Sequence, residues 1–179
     1  MDNGKISVRY ARALLLTANE QHCETAVYEG LSRLVEQYRQ AINAFNEALS
    51  NPINGKEEKQ QLLLTAIGEP VHPCLASFID FLTEKRRENK IFLIALKYQE
   101  MYRKQHNIIH AEVTTATALN DSTMAKIKDF VEQTFNCTAE TTVHVNPDLI
   151  GGFTLDIGHE RMDASIVGQL NKLKKELQL

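Results

Sequence analysis

Apolar residues recur at helical spacing along roughly the first hundred residues of the chain. The segments concerned share apolar side chains three and four positions apart, and Gln, Asn or Pro residues separate most of them. They are 5–20, 23–39, 41–49, 56–68, 73–87 and 89–105. Helices this short gain most of their stability by packing their apolar faces together. The pattern therefore predicts an N-terminal six-helix bundle.

The pattern changes to a period of two near Asn107. Ile109, Ala111, Val113 and Thr115 alternate with polar residues, as in a strand with one buried face. A helix starting near Asp121 and a strand at 141–145 follow. We therefore predict an α+β fold overall, with a helical domain at 1–106 and a small α+β domain at 107–179.

The end of the chain combines a strand, a turn and a helix. Phe153, Leu155 and Ile157 alternate with polar residues or glycine, and Gly158-His159 can turn the chain back. Asp163 and Ser165 are candidate N-caps of the closing helix. The apolar positions of that helix are Ile166, Leu170, Leu173 and Leu177.

The first predicted helix is apolar on two sides, and the fifth has an apolar residue outside its core stripe. On helix 5–20, one side carries Ile6, Tyr10, Ala13, Leu14 and Thr17, and another carries Val8, Ala11, Leu15 and Ala18. On helix 73–87, the core stripe is Leu75, Phe78, Ile79 and Leu82, and a different side carries Cys74, Phe81 and the stem of Lys85.

Two interpretations of these extra apolar residues are open. They could form a groove that receives an amphipathic helix of a partner protein. Alternatively, both helices could be central in the bundle, since helices that are apolar all round are usually buried. Periodicity alone favours the central position.

Composition and charge are those of an ordinary globular protein. The chain has 179 residues, 43% of them hydrophobic and 24% charged, and a net charge of -3, which gives no electrostatic case for nucleic-acid binding. Residues 1–106 carry 14 basic and 13 acidic side chains, whereas residues 107–179 carry 6 and 10. We expect the acidic second half to prefer a basic partner surface.

The lack of a recognisable targeting signal and the spacing of the cysteines favour an intracellular protein. No apolar run approaches the roughly 20 residues that span a bilayer, and the N-terminus does not read as a signal peptide. We therefore expect no direct membrane insertion. Cys23, Cys74 and Cys137 are widely spaced, which favours reduced thiols over a disulfide or a zinc site.

The sequence contains no recognisable catalytic, cofactor or metal motif. Gly55-Lys56 lacks the glycines of a phosphate-binding loop, and no Gly-x-Ser-x-Gly elbow is present. His106 and His110 are four apart, but the predicted helix ends between them. The basic run Lys85–Arg87 is interpreted as a solvated helix end. We predict no cofactor, no metal and no small-molecule substrate.

Several separated motifs nevertheless occur in one order that resembles a known family. They are Arg9-Tyr10-Ala11, Ala13-Leu14, Lys85-Arg86-Arg87, Leu149-Ile150-Gly151-Gly152-Phe153, Ile157-Gly158, Asp163-Ala164-Ser165, Gly168-Gln169-Leu170 and Leu173. In this order they resemble the δ subunit of F-type ATP synthases, called the oligomycin-sensitivity-conferring protein in mitochondria. Ala164 stands where relatives commonly have glycine.

The resemblance implies a non-catalytic stator subunit that links the catalytic head to the peripheral stalk while the rotor turns under proton or sodium flow. It favours the groove interpretation, with the N-terminal helix of an α subunit bound by 1–106, and it implies that 107–179 binds the ends of the b subunits. The expected location is the cytoplasmic side of a bacterial cell membrane. The α-subunit site would comprise Tyr10, Ala13, Leu14, Thr17, Cys74, Phe81 and Lys85, and the stalk site Leu170, Leu173, Lys174 and Leu177.

Two other functions remain as alternatives. A small hydrolase or transferase could assemble its site only in three dimensions, for example with a histidine beside Cys137 or Ser165. A generic helical scaffold that binds another complex would also expose apolar surface.

Overall fold

The computed structural model describes residues 3–117, 119–158 and 160–176. The chain forms two compact units, Met1–Arg103 and Lys104–Leu179, which we call the helical unit and the sheet unit. A helical N-terminal region followed by a sheet confirms the predicted α+β class. This division does not test the partner-binding roles predicted for residues 1–106 and 107–179.

The helices before the first strand are short and closely connected. They are α1 (Asn3–Glu20), α2 (Glu24–Gln40), α3 (Ile42–Ser50), α4 (Lys56–Ile67), α5 (Pro73–Glu84) and α6 (Ile91–Gln105), with a 3₁₀ turn at Glu88–Lys90 before α6. Their main apolar faces point inward. The large side chains that are fully buried in this unit include Leu31, Leu34, Leu63, Ile67, Leu75, Ile79, Leu82, Ile91, Ile94 and Tyr98.

Polar groups inside the helical unit have specific partners. The hydroxyl of Tyr98 donates to the backbone carbonyl of Glu24 at 3.1 Å. Arg33 Nε donates to the carbonyl of Ile67 at 2.6 Å, at the end of α4 where helix carbonyls lack intrahelical partners. These bonds connect helices that are distant in sequence and offset the cost of burying the polar atoms.

The fifth helix is shorter than predicted. The sequence predicts a helix to Arg87, but α5 ends at Glu84 and Lys85 is its C-cap. Arg86 follows in the left-handed region, with φ of +52°. The prediction was wrong because the apolar and basic residues at 81–87 remain compatible with helical spacing, whereas the backbone turns there to start the next element.

In the described residues of the sheet unit, four strands form one sheet in the order β2-β1-β3-β4. They are β1 (Ile108–Thr115), β2 (Thr138–Val145), β3 (Phe153–Ile157) and β4 (Glu160–Asp163). Helix α7 (Asp121–Phe135) connects β1 to β2, which pair in parallel, while β3 pairs antiparallel with both β1 and β4. Helix α8 (Ile166–Glu176) follows β4.

One face of this sheet packs against α7. The buried cluster comprises Ala111, Val113, Ile127, Val131, Ala139 and Leu155, with Leu119, Val143, Phe153 and Ile157 packed against it. The predicted alternation of β1 and β3 is therefore confirmed. Strand β2 begins three residues earlier than predicted, at Thr138, because its pairing with β1 starts opposite Ile108.

Ser165 caps helix α8, and Asp163 supports the cap. Ser165 Oγ accepts a hydrogen bond from the backbone N–H of Gly168 at 2.9 Å and donates one to Asp163 Oδ1 at 2.6 Å. A Cβ atom on Gly168 would lie 2.6 Å from the carboxylate carbon of Asp163. Glycine at 168 thus leaves room for the carboxylate that orients the capping hydroxyl.

The Gly151-Gly152 pair allows two backbone segments to touch. The N–H of Ile166 donates to the carbonyl of Gly151 at 3.0 Å. Gly152 has φ of +77°, and a Cβ atom there would overlap the carbonyl oxygen of Ala164 and lie 2.9 Å from Ser165 Cα. The start of α8 therefore rests directly on the turn before β3.

We predict that Gly152→Ala destabilises the sheet unit far more than Gly158→Ala. Both glycines have positive φ, so each alanine costs about 1–2 kcal/mol for the left-handed backbone. A Cβ atom at Gly158 meets nothing within 4 Å, whereas one at Gly152 meets the Ala164 backbone. We expect the overlap at Gly152 to add about 1–3 kcal/mol. Native-state hydrogen exchange of the β1 and β3 amides measures both losses, and equal losses would contradict the proposed backbone contact.

Candidate functional site

Helices α1 and α5 pack side by side and leave an apolar groove open on the surface of the helical unit. We call it the α1–α5 groove, and its volume is about 490 Å³. It is lined by Arg9, Tyr10, Ala13, Leu14, Thr17, Cys74, Ser77, Phe78, Phe81 and Arg87.

The groove exists because α1 carries more apolar surface than the core of its unit covers. Its buried face comprises Ala11, Leu14, Leu15 and Ala18. Leu14 and Cys74 are buried and line the bottom of the groove, while Ala13 and Thr17 are exposed on its side. The Thr17 hydroxyl donates to the carbonyl of Ala13 at 3.1 Å, so it does not need a partner from outside.

Two aromatic rings lie together at one end of the groove. The ring centroids of Tyr10 and Phe81 are 6.0 Å apart, and Phe81 is 42% exposed. The two rings are tilted by 37° to each other, and together they present apolar surface with a polar group at the tyrosine hydroxyl. An exposed aromatic pair is the kind of surface that anchors protein–protein contacts.

Cationic side chains surround this aromatic end. Arg87 Nη1 donates to the Tyr10 hydroxyl at 2.7 Å, and its Cζ lies 5.4 Å from the centroid of the Tyr10 ring. Lys85 Nζ lies 5.7 Å from the centroid of Phe81. We call Arg9, Lys85 and Arg87 the cationic rim. Two members of the basic run that was interpreted as a solvated helix end thus contact the groove aromatics.

The predicted groove residues come together in the structure, with one difference. Tyr10, Ala13, Leu14, Thr17, Cys74 and Phe81 line the groove, whereas Lys85 lies over Phe81 outside the lining. Binding of a partner by these residues stays a prediction.

Sequence reasoning missed four lining residues, Arg9, Ser77, Phe78 and Arg87. Phe78 was placed in the core stripe of its helix, but it is half-buried at the edge of that stripe. Ser77 is three residues after Cys74 and four before Phe81, so helical spacing could have found it. No local signal indicates Arg87, because it lies beyond the end of α5.

The thiol at the bottom of the groove is unreactive. Burial raises the pKa of the Cys74 thiol to about 11, and the neighbouring Cys23 thiol adds to this. At neutral pH Cys74 is therefore a neutral, weakly polar group, and free buried cysteine behaves as a small hydrophobic side chain. It extends the apolar surface rather than supplying a nucleophile.

Neither residue considered for a hydrolase or transferase site has the character of an activated nucleophile. The Ser165 hydroxyl is engaged in the cap of α8. Burial, followed by the charge of Glu132, raises the pKa of the Cys137 thiol, which lowers its thiolate fraction. In the part of the chain that the structure describes, no group of three or more His, Cys, Asp or Glu side chains could hold a metal ion.

Exposed apolar side chains also occur at the start of α8. Two residues of the predicted stalk site are exposed, Leu170 by 55% and Lys174, and stalk binding by them stays a prediction. The side chain of Leu173 and the whole of Leu177 lie outside the described residues. Ile150 and Ile166 are exposed as well and were not predicted. None of the helices within the described ranges is long and apolar enough to cross a membrane.

Comparisons with known proteins agree over almost the whole chain. The sequence model of the family described as ATP synthase delta (OSCP) subunit matches residues 6–177. ATP synthase subunit delta of Parabacteroides distasonis is 37% identical over 177 residues, which are 99% of this chain and 98% of that protein. The subunit delta of Phocaeicola vulgatus is 34% identical, over 97% of this chain and 94% of that protein.

The fold also has a solved counterpart. A chain in the cryo-EM structure of the Toxoplasma gondii mitochondrial ATP synthase hexamer superposes with a TM-score of 0.71 at 19% identity, covering 97% of each chain. At that identity the likeness concerns the fold alone. On the family match and the sequence identities, this chain belongs to the ATP synthase delta (OSCP) subunit family.

Proposed function

We propose that the chain is a stator adaptor that holds the catalytic head of an F-type ATP synthase to its peripheral stalk. Its family makes it a non-catalytic subunit of that complex. The proposal adds a binding role for each unit. A six-helix bundle formed by the helical unit receives the N-terminal helix of an α subunit, and the sheet unit receives the ends of the b subunits.

The single observation that carries the proposal is the α1–α5 groove. Tyr10 and Thr17 are seven residues apart on α1, as are Cys74 and Phe81 on α5, so each side of the groove extends about 10 Å. An amphipathic helix places its anchoring side chains at i, i+3, i+4 and i+7, which spans the same length. Apolar burial along this length would supply most of the affinity.

The exposed surface of α8 supports a second contact. Ile166 and Leu170 are four residues apart on one helix and both are exposed. Lys174 follows Leu170 at the same spacing and is also exposed. Helical partners recognise apolar positions at this spacing, and a lysine beside them favours acidic residues on the partner.

Two contacts on separate units suit a protein that must resist torque. When one contact opens, the other keeps the partners close, so rebinding becomes intramolecular and net dissociation slows. No chemistry is required of such an adaptor. The bacterial origin of the two relatives named above supports a place on the cytoplasmic side of a bacterial cell membrane.

The first test is direct binding of an α-subunit peptide to the full chain. The peptide comprises about two dozen residues from the N-terminus of the α subunit of the same organism, enough for several helical turns. We expect one-to-one binding in titration calorimetry, with a negative heat-capacity change from apolar burial. A scrambled peptide of the same composition is the control. Failure of the native peptide to bind would refute the α-subunit assignment.

Phe81→Asp should weaken binding of the same peptide by about tenfold or more, because docking would desolvate a carboxylate in an apolar groove. Tyr10→Asp should act in the same direction. Leu93→Asp is the matched control, since Leu93 is 41% exposed, close to the 42% of Phe81, and does not line the groove. Equal affinities of the Phe81 and Leu93 variants would place the binding surface elsewhere. Circular dichroism checks that all variants are folded.

Leu170→Asp should weaken binding of a C-terminal b-subunit fragment by about tenfold, because it removes an apolar anchor and adds a charge that binding would desolvate. Phe130→Asp on α7 is the control, since Phe130 is 48% exposed and Leu170 is 55% exposed. Calorimetry with the full chain measures both variants. A larger effect of the Phe130 variant would indicate that the b-subunit fragment binds α7 rather than α8.

A further inference from the structure

The cationic rim is the feature of the helical unit that apolar docking alone does not explain. Arg9 and Arg87 line the α1–α5 groove, and Lys85 lies over its exposed aromatic ring. The lining contains no Asp or Glu. The open end of an otherwise apolar groove is therefore positively charged.

Within the described part of the chain, these cations lack acidic partners. Among the described residues, no carboxylate lies within ion-pair distance of Arg9, Lys85 or Arg87. Other lysines of the same unit are paired, for example Lys56 with Asp80 and Lys59 with Glu88, both at 2.8 Å. The charge at the groove end is available to a ligand, whereas these other charges are used internally.

Arg87 is held in a position suited to bind an anion. Its guanidinium donates one hydrogen bond to the Tyr10 hydroxyl and lies near the Tyr10 ring. A guanidinium has five N–H donors in a planar fork, so four remain for a second partner. A carboxylate can accept two of them in parallel, and the contact with Tyr10 orients the fork beforehand.

We propose that the groove selects a helix with carboxylates at one end of its apolar stripe, and that Arg87 is the residue that recognises them. This inference rests on the proposed function, in which the occupant is the N-terminal helix of the α subunit. Docking removes water from the groove end. An occupant with a carboxylate there pairs with Arg87, whereas a neutral or basic occupant leaves the guanidinium desolvated and unpaired.

The charge arrangement also sets the direction of the bound helix. Lys85 lies over Phe81 and Arg87 over Tyr10, at one end of the groove, and Arg9 directly precedes Tyr10 on α1. The other end of the groove carries Thr17 and Cys74. A helix with carboxylates at one end only can satisfy the rim in one orientation. The apolar groove supplies affinity, and the rim distinguishes the two directions.

The test compares two peptides and four forms of the full chain by calorimetry. The peptides are the α-subunit N-terminal peptide and a version with every Asp and Glu changed to Asn and Gln. The proteins are wild type, Arg87→Gln, Arg87→Lys and Arg86→Gln. Arg86 is the matched control because it carries the same charge at the preceding position. It lines a different cavity, together with Lys56 and Glu88.

We expect wild type to bind the native peptide about tenfold more tightly than the amide peptide at low salt, with the difference shrinking at about 1 M salt. Arg86→Gln should retain the difference, Arg87→Gln should abolish most of it, and Arg87→Lys should keep part of it because lysine keeps the charge without the fork. The amide peptide should bind wild type and Arg86→Gln with similar affinity, and it should bind Arg87→Gln at least as tightly, because that variant has no guanidinium to desolvate without an anionic partner.

Four results would overturn the proposal. The first is equal binding of both peptides by wild type, and the second is an equal loss for both peptides in Arg87→Gln, which would make Arg87 a packing residue. Either would leave the proposed function standing. The third is no binding of either peptide by wild type, which would remove the proposed function as well. Self-association of wild type that Phe81→Asp abolishes would assign the groove to a second copy of the chain.

Discussion

A constraint on helix packing determines much of the surface of this protein. Helix α1 carries apolar residues around more than half of its circumference, and a unit of about a hundred residues covers only part of a helix. The core takes Ala11, Leu14, Leu15 and Ala18. Tyr10, Ala13 and Thr17 are left beside α5, which in turn leaves Phe78 and Phe81 incompletely buried. The groove is what remains when two such helices pack together.

A different constraint explains the glycine-rich signature near the end of the chain. The turn at Gly151-Gly152 and the start of α8 meet through their backbones, and Gly168 leaves space for the carboxylate of Asp163. Ser165 then caps the helix. These residues have a structural role: they set where α8 begins and hence which residues it exposes. Motifs of this kind mark a family without supplying any chemistry.

The binding role proposed for the groove would let an adaptor combine affinity with selectivity. Apolar area provides affinity but distinguishes poorly between amphipathic helices, which are common. Charged groups around the area add little affinity in water, yet they penalise a wrong partner once water is excluded. In this chain the apolar part comes from α1 and α5, and the charge comes from Arg9 on α1, from the C-cap of α5 and from the turn after α5. A stator must hold its partner in one orientation. Affinity from apolar area together with selectivity from charge meets that requirement.

The element types, their order and most of their faces could be predicted from sequence, because hydrophobic periodicity is a local property. The alternation of Ala111, Val113 and Leu155, the two apolar sides of α1 and the candidate cap at Ser165 all appear in the structure. Periodicity also assigned most of the groove residues to the correct sides of their helices, although only the family resemblance favoured a groove over a central position. The boundary of α5 was wrong, since spacing does not show where a backbone turns.

The sequence by itself determined which surfaces are apolar and, through its ordered motifs, the family. Only the tertiary structure decided which apolar side of α1 is covered, why Gly152 has to lack a side chain, and that Arg87 lies on Tyr10. Arg87 and Tyr10 are 77 positions apart in the sequence. Gly152 contacts the backbone of Ala164, which follows β3 and β4 in the chain. Such contacts depend on how elements pack in space, and no local spacing of residues encodes that arrangement.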